Sequence, residues 1–186
     1  AAAHTHADFK TPYGTVVQTM PIPMKTTGKS FAWEFIHPLA LLWYMTWQSP
    51  RFGEIMGDAI NSAARGILSL LLYGDDLTPG NPLRPDGGRK IFAFYYAFLE
   101  WLPWMLHRSD AWLCFGTLRV KIIEQAVGGV SAIFSKIVQV MFTTTPANFT
   151  DGCLITVNRS PMAMRAMFKG IIADEKGLKE AWDIKG

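Results

Sequence analysis

The stretch Ile67-Leu-Ser-Leu-Leu-Leu-Tyr73 stops abruptly at Gly74-Asp75-Asp76 and then Thr-Pro-Gly-Asn-Pro. A short apolar run closed by turn formers suits a central strand covered on both faces. Residues 77–89 then read as a Pro- and Gly-rich loop containing Arg84, Asp86 and Arg89. Beyond it, Lys90-Ile-Phe-Ala-Phe-Tyr-Tyr-Ala-Phe-Leu99 carries aromatics on alternate positions, which predicts a second strand. Residues 101–110, with Pro103, read as a turn or short helix, and 111–119 as a third strand with helix a close competitor. Gly128-Gly129 breaks the chain. Val130, Ile133, Phe134, Ile137, Val138 and Met141 then recur at helical spacing. Residues 153–157 and 163–173 read as two strands around a turn at Asn158–Pro161, and 175–183 as a helix.

The first third has a different texture. Residues 1–30 read as a loosely structured, partly extended lead-in holding Pro12, Pro21 and Pro23. Trp33, Ile36, Ala40, Trp43 and Trp47 predict a helix over 33–48 with Pro38 near its first turn, and 51–65 a second, amphipathic helix ended by Gly66. Three parts follow: a lead-in (1–30), a helical segment (31–66) and an α/β core (67–186).

Composition narrows the function classes. Of 186 residues, 49% are apolar and 13% aromatic, enough for a packed core and incompatible with a disordered or collagen-like chain. A net charge of +3 is too small for a nucleic-acid-binding tail, so a basic patch would need local clustering. Cys114 and Cys153 are too few for a disulfide framework or a four-ligand zinc site and read as buried thiols of a reducing compartment. The triplets at Asn148 and Asn158 match a glycosylation acceptor but arise readily by chance. No secretory signal is visible. The charge-free run Phe35–Pro50 is interrupted by His37 and Pro38, which speaks against an integral membrane span and leaves an interfacial helix at 35–48 as a minor reading. Thr27-Gly-Lys-Ser30 fails as a phosphate loop because position 23 is Pro, not Gly. The chain lacks an initiating Met and stops at Gly186 just after a helix-like segment, which reads as a fragment.

The order strand, strand, strand, helix, strand is the opening of a ribonuclease-H-like α/β fold (a mixed sheet made of a three-strand meander, a crossover helix and a further strand, here behind an N-terminal helical segment), although other mixed sheets give the same order. In that arrangement the strands ending at Asp75 and at Asp174 are parallel neighbours, so two distant carboxylates meet at one mouth of the sheet. Mutually repelling carboxylates are reconciled by Mg²⁺ or Mn²⁺, and such ions serve phosphodiester chemistry. A simpler reading stands beside this one: Asp75-Asp76 as turn residues and Asp174 as the cap of the next helix. Tyr73-Gly-Asp-Asp76 also matches the metal-binding hairpin tip of polymerase palms, although a loop rather than a second strand follows it. His37 and His107 have no partner at metal-ligand spacing and read as structural.

Leu72-Tyr-Gly-Asp-Asp-Leu-Thr-Pro-Gly-Asn-Pro-Leu83, Arg89-Lys90, Tyr95-Tyr96, Trp112, Arg119, Gly128-Gly129-Val-Ser131 and Ala173-Asp-Glu-Lys176 together resemble a repeated open-reading-frame family of dinoflagellate genomes. That family in turn is similar to transposases of CACTA, Plavaka and Zisupton-type elements, which are DDE enzymes of ribonuclease-H-like fold. The resemblance implies Asp75 and Asp174 as catalytic residues and Asp75, Asp76 and Asp174 as ligands of Mg²⁺ or Mn²⁺. The position of Asp76 is often Glu in the family, which favours Asp75 as the ligand. The resemblance further implies DNA as the partner, with Arg84, Arg89 and Lys90 placed to touch phosphate, and a nuclear location. A third catalytic acid and paired cysteines would follow Gly186, so this chain would lack them and its own activity would be in question. Against this stands a non-catalytic interaction module, with the Trp- and Met-rich residues of 31–56 and 101–112 facing a partner, a second copy of the chain or a membrane surface.

Overall fold

The computed structural model describes residues 8–26, 28–77, 90–108, 111–144 and 146–172. It begins with two antiparallel hairpins, β1 (Lys10–Thr11) with β2 (Gly14–Thr15), and β3 (Val17–Pro23) with β4 (Ser30–Ile36). Helices α1 (Pro38–Gln48) and α2 (Pro50–Ser62) follow, and a single 3-10 turn at Ala64–Gly66 leads into β5 (Ile67–Leu77). The rest comprises β6 (Ile91–Phe98), α3 (Pro103–Leu106), β7 (Leu113–Arg119), α4 (Val120–Gln125), α5 (Gly129–Phe142), β8 (Cys153–Val157) and β9 (Ser160–Ile172).

The fold is mixed α/β around one five-stranded sheet of order β7-β6-β5-β9-β8. Strands β5, β6 and β7 form the antiparallel meander that the alternating aromatics predicted. After the helices the chain enters first at the outer edge as β8, then turns back through Asn158-Arg159 into β9, which lies beside β5 and parallel to it. Both turn residues have positive φ, 50° and 63°, the backbone of a two-residue hairpin turn that matches strand twist.

Three expectations change. Residues 17–23 and 30–36 are a β-hairpin, not a lead-in followed by a helix starting at 33. Met20, Ile22, Trp33 and Phe35 fill its buried side, while Pro21 and Pro23 point outward, as proline can on a small sheet without losing core packing. The helix starts only at Pro38, where the missing N–H costs nothing; His37 caps it by accepting the Ala40 N–H at 3.4 Å. Second, residues 120–125 form a helix that the sequence did not suggest. Third, β5 is central in the sheet but buried on one side only. Leu68, Leu70, Leu72 and Gly74 are buried, whereas Leu71, Tyr73 and Asp75 are half-buried.

The core lies on that buried side. Phe94 and Phe92 of β6 meet Phe134 of α5 edge to face, with ring centroids 5.2 and 6.3 Å apart, and Trp33 of β4 packs on Phe94 and Phe115. The Trp33 indole N–H finds the Thr117 carbonyl at 3.1 Å, so a large apolar ring is buried without stranding its donor. Gly74 is a required gap: a Cβ there would stand 2.7 Å from both the Phe134 and Phe92 rings. The outer strand β8 is covered on its free edge. Thr46 of α1 accepts the Thr156 N–H at 3.1 Å, and the Tyr13 hydroxyl bonds both backbone groups of Leu154, which closes an edge open to mispairing. Among the described residues, no helix is long and apolar enough to cross a membrane.

Candidate functional site on the half-open face of the sheet

Successive residues of a strand point to opposite sides of the sheet, and residues directly opposite in an antiparallel pair share a side. Asp75 pairs with Ala93 and Asp76 with Phe92. Asp76 therefore faces the aromatic side, where the Lys90 ammonium donates to its Oδ2. Asp75 faces the other side, where the Tyr73 hydroxyl donates to its Oδ2 at 2.9 Å. The two adjacent carboxylates, expected as ligands of one ion, are thus divided between the faces and do not converge on one point. Both also stand inside a ladder, not in a turn or at a hairpin tip, because β5 continues pairing to Leu77.

Asp75 opens into a groove of about 780 Å³ lined by Tyr73, Leu77, Tyr95, Leu106, His107, Trp112 and Ile172. Its floor is the cross-strand pair Tyr73 and Tyr95, with rings 6.1 Å apart and inclined by 29°. Trp112, just before β7, meets Tyr73 edge to face at 5.8 Å, and its indole N–H is anchored on the Leu106 carbonyl at 3.2 Å. Burial raises the Tyr95 hydroxyl pKa, with smaller contributions from Cys114 and Asp75, so it remains a proton donor at neutral pH. His107 follows α3, and its Nδ1 lies 2.6 Å from the Pro103 carbonyl. A carbonyl only accepts, so Nδ1 carries the hydrogen of this contact.

The other expected site residues distribute as follows. Lys90, expected to touch phosphate, is bonded to Asp76. Asp174, Arg84 and Arg89 lie outside the described residues. The last described pair between β5 and β9 is Tyr73 with Ile172, two residues before Asp75 on one strand and two before Asp174 on the other. Among the described residues, no group of three or more His, Cys, Asp or Glu side chains could hold a metal ion. Among the described residues that line the groove, Asp75 supplies the one carboxylate. His37 is buried and has a structural part as the cap of α1, as expected; desolvation lowers its pKa to about 4. Cys153 is buried and its thiol is pushed up to about 12, while Cys114 is half-buried and raised by the same cause. Asn148 is buried, its side chain bonded to Thr144, Thr150 and Asp151, which is loop-closing chemistry and not a glycan acceptor's exposure.

Sequence reasoning picked out Asp75 but missed its surroundings. His107 is part of the groove as well as bonded to its own helix, and Tyr73, Tyr95 and Trp112 come from three separate segments. The available signal was the i, i+2 spacing of Tyr73 and Asp75 on a strand, which puts both on one face. No protein-family model matches this chain, and no curated protein sequence matches it.

Proposed function

We propose that the chain carries part of the ribonuclease-H-like core of a transposon-derived, DDE-type transposase or related nuclease, acting on DNA through metal-dependent phosphodiester chemistry. One observation supports this above the others. The strand bearing Asp75 and the strand leading to Asp174 are parallel neighbours, in a register whose last described pair is equally far from both acids. The meander of β5, β6 and β7 beside a parallel strand also fits that architecture. The entry through β8, antiparallel at the edge, is this chain's own variation on it.

In this reading Asp75 and Asp174 hold Mg²⁺ or Mn²⁺, and the remaining coordination positions belong to water and phosphate. The bound ion would supply activation of water and stabilisation of the leaving 3′-oxygen. Asp76 has no part in the site; it pins Lys90 and with it the start of β6. Arg84 and Arg89 are proposed for phosphate contact, and a nuclear location is proposed together with the transposase reading. Thermal unfolding in rising Mn²⁺ tests the reading. A ligand bound only to the folded state at a hundredfold excess over its Kd stabilises by about 2.7 kcal/mol. The melting temperature should rise in the wild type and in Asp76→Asn and stay constant in Asp75→Asn.

A second reading is favoured by the aromatic surface. Trp47 of α1 and, separately, Trp104 of α3 are 50% and 53% exposed, and Trp43 and Trp47 stack on each other along α1 with Phe9 packed against both. A non-catalytic module that meets a partner or a second copy through this surface would show no Mn²⁺-dependent shift in any variant.

A further inference from the structure

We propose that the outer edge of β4 docks one extended peptide segment of a partner protein, which adds to the β3–β4 hairpin as a third strand. The ladder itself leaves this edge open. The His37 N–H bonds the Val16 carbonyl at 2.9 Å and the Met24 N–H bonds the Lys29 carbonyl at 3.1 Å, so every second cross-strand pair of the hairpin is the hydrogen-bonded one. The pairs between them, Thr19 with Glu34 and Pro21 with Ala32, turn their backbone groups outward. On β3 that edge is blunted: Pro21 and Pro23 have no N–H, and the Pro23 carbonyl accepts the Val127 N–H at 2.9 Å. On β4 the outward N–H and C=O groups of Ala32 and Glu34 are all kept, and among the described residues none has a hydrogen-bond partner.

The surroundings of this edge select the occupant. Consecutive residues of β4, Phe31 to Glu34, line one wall of a cleft of about 730 Å³, and consecutive residues of β7, Thr117 to Arg119, line the other. Neighbouring residues of a strand point to opposite sides, so a wall made of a whole run follows the edge of β4 and not one of its faces. A second copy of the chain would bring a whole sheet, whose next strand lies ~4.8 Å further out, against the β7 wall. A lone extended segment meets no such clash. It draws affinity from the backbone groups and specificity from alternate side chains, for which Phe31, Ile91 and Ile122 offer apolar contact. Glu34 is exposed, and among the described residues it has no salt-bridge partner. Opposite charges across a strand pair attract, so the segment carries lysine or arginine at the position facing Glu34. The cleft shares no lining residue with the groove beside Asp75.

The test is fluorescence anisotropy in EDTA with a labelled, capped octapeptide of alternating threonine and valine bearing one central lysine, its fully N-methylated counterpart, and the same peptide with glutamate in place of lysine. The wild type should bind the lysine peptide at least about tenfold more tightly than the N-methylated one, because methylation removes the backbone donors. Glu34→Lys should reverse the preference between the lysine and glutamate peptides. Ala32→Pro removes an N–H that bonds nothing within the hairpin and should lose about tenfold in affinity, whereas Ala32→Ser should bind like the wild type. Hydrogen exchange at the Ala32 and Glu34 amides should slow in the complex. No binding at about 1 mM peptide, equal affinity for the N-methylated peptide, an unreversed charge preference, unslowed exchange at both amides, or undiminished affinity in a folded Ala32→Pro would each overturn the docking edge. The peptide comparison and the exchange measurement use the unaltered protein, so they decide even if Ala32→Pro does not fold. Binding in EDTA is independent of the cation, so failure here leaves the Mn²⁺ reading of Asp75 standing, and loss of the Mn²⁺ response leaves the edge standing.

Discussion

The two faces of β5 differ in what they ask of neighbouring residues. On one face Leu68, Leu70, Leu72 and Gly74 are buried, the leucines in the same core as Phe94, Phe134 and Trp33, and Gly74 has no room for a single added carbon beside Phe134 and Phe92. On the other, Tyr73 and Asp75 bond each other at the wall of a groove, half in contact with water. One strand therefore carries both close packing and the candidate chemistry, separated only by the pleat. A residue's side, more than its position along the strand, decides whether changing it costs stability or function.

Stability changes should be large on the packed face and small in the groove. Phe94→Ala removes a ring that touches Trp33, Phe92 and Phe134, and chemical denaturation should show a loss of about 4 kcal/mol. His37, buried behind the same face, should make folding sensitive to acid. Its pKa is about 4 when folded against 6.5 as the ordinary value, so the unfolded chain binds the proton first. Stability is then constant above pH 6.5 and declines as pH falls towards 4, by about 3 kcal/mol at the limit. His37→Asn, which keeps an acceptor for the Ala40 N–H, should flatten that slope in pH-dependent melting curves. Gly74→Ala forces two rings aside and should cost about 2 kcal/mol by the same denaturation measurement.

On the groove side, Tyr73→Phe removes one hydrogen bond to a carboxylate and should cost about 1 kcal/mol while leaving the ring in place. At the solvent-accessible end of the aromatic side, Lys90→Met should change stability by less than about 1 kcal/mol, since both Lys90 and Asp76 are about one-third exposed. A groove substitution that cost as much as Phe94→Ala would erase the distinction between the faces.

The sequence made the sheet's middle readable and its periphery less so. Ile67–Tyr73, the alternating aromatics of 90–99 and the helical spacing of Val130–Met141 each signal their element locally, and β5, β6 and α5 form there. The β3–β4 hairpin was hidden because Pro21 and Pro23 interrupt the alternation of Met20 and Ile22, while Trp33, Ile36 and Ala40 imitate a helical stripe. The mixed order of β8 and β9 depends on long-range pairing that no local pattern encodes. Asp75 was visible because it follows an apolar run. The division of Asp75 from Asp76 required knowing that pairing continues to Leu77, and the groove required β6, the start of β7 and α3 to meet beside them.

The most direct measurement is calorimetric titration of Mn²⁺ into the wild type, Asp75→Asn, Asp174→Asn and the double variant, with Asp76→Asn as the control. A cation shared by Asp75 and Asp174 predicts that each single change removes as much affinity as both together, a non-additive cycle, with Asp76→Asn unchanged. Undiminished affinity in Asp174→Asn, or losses that simply add, would contradict it.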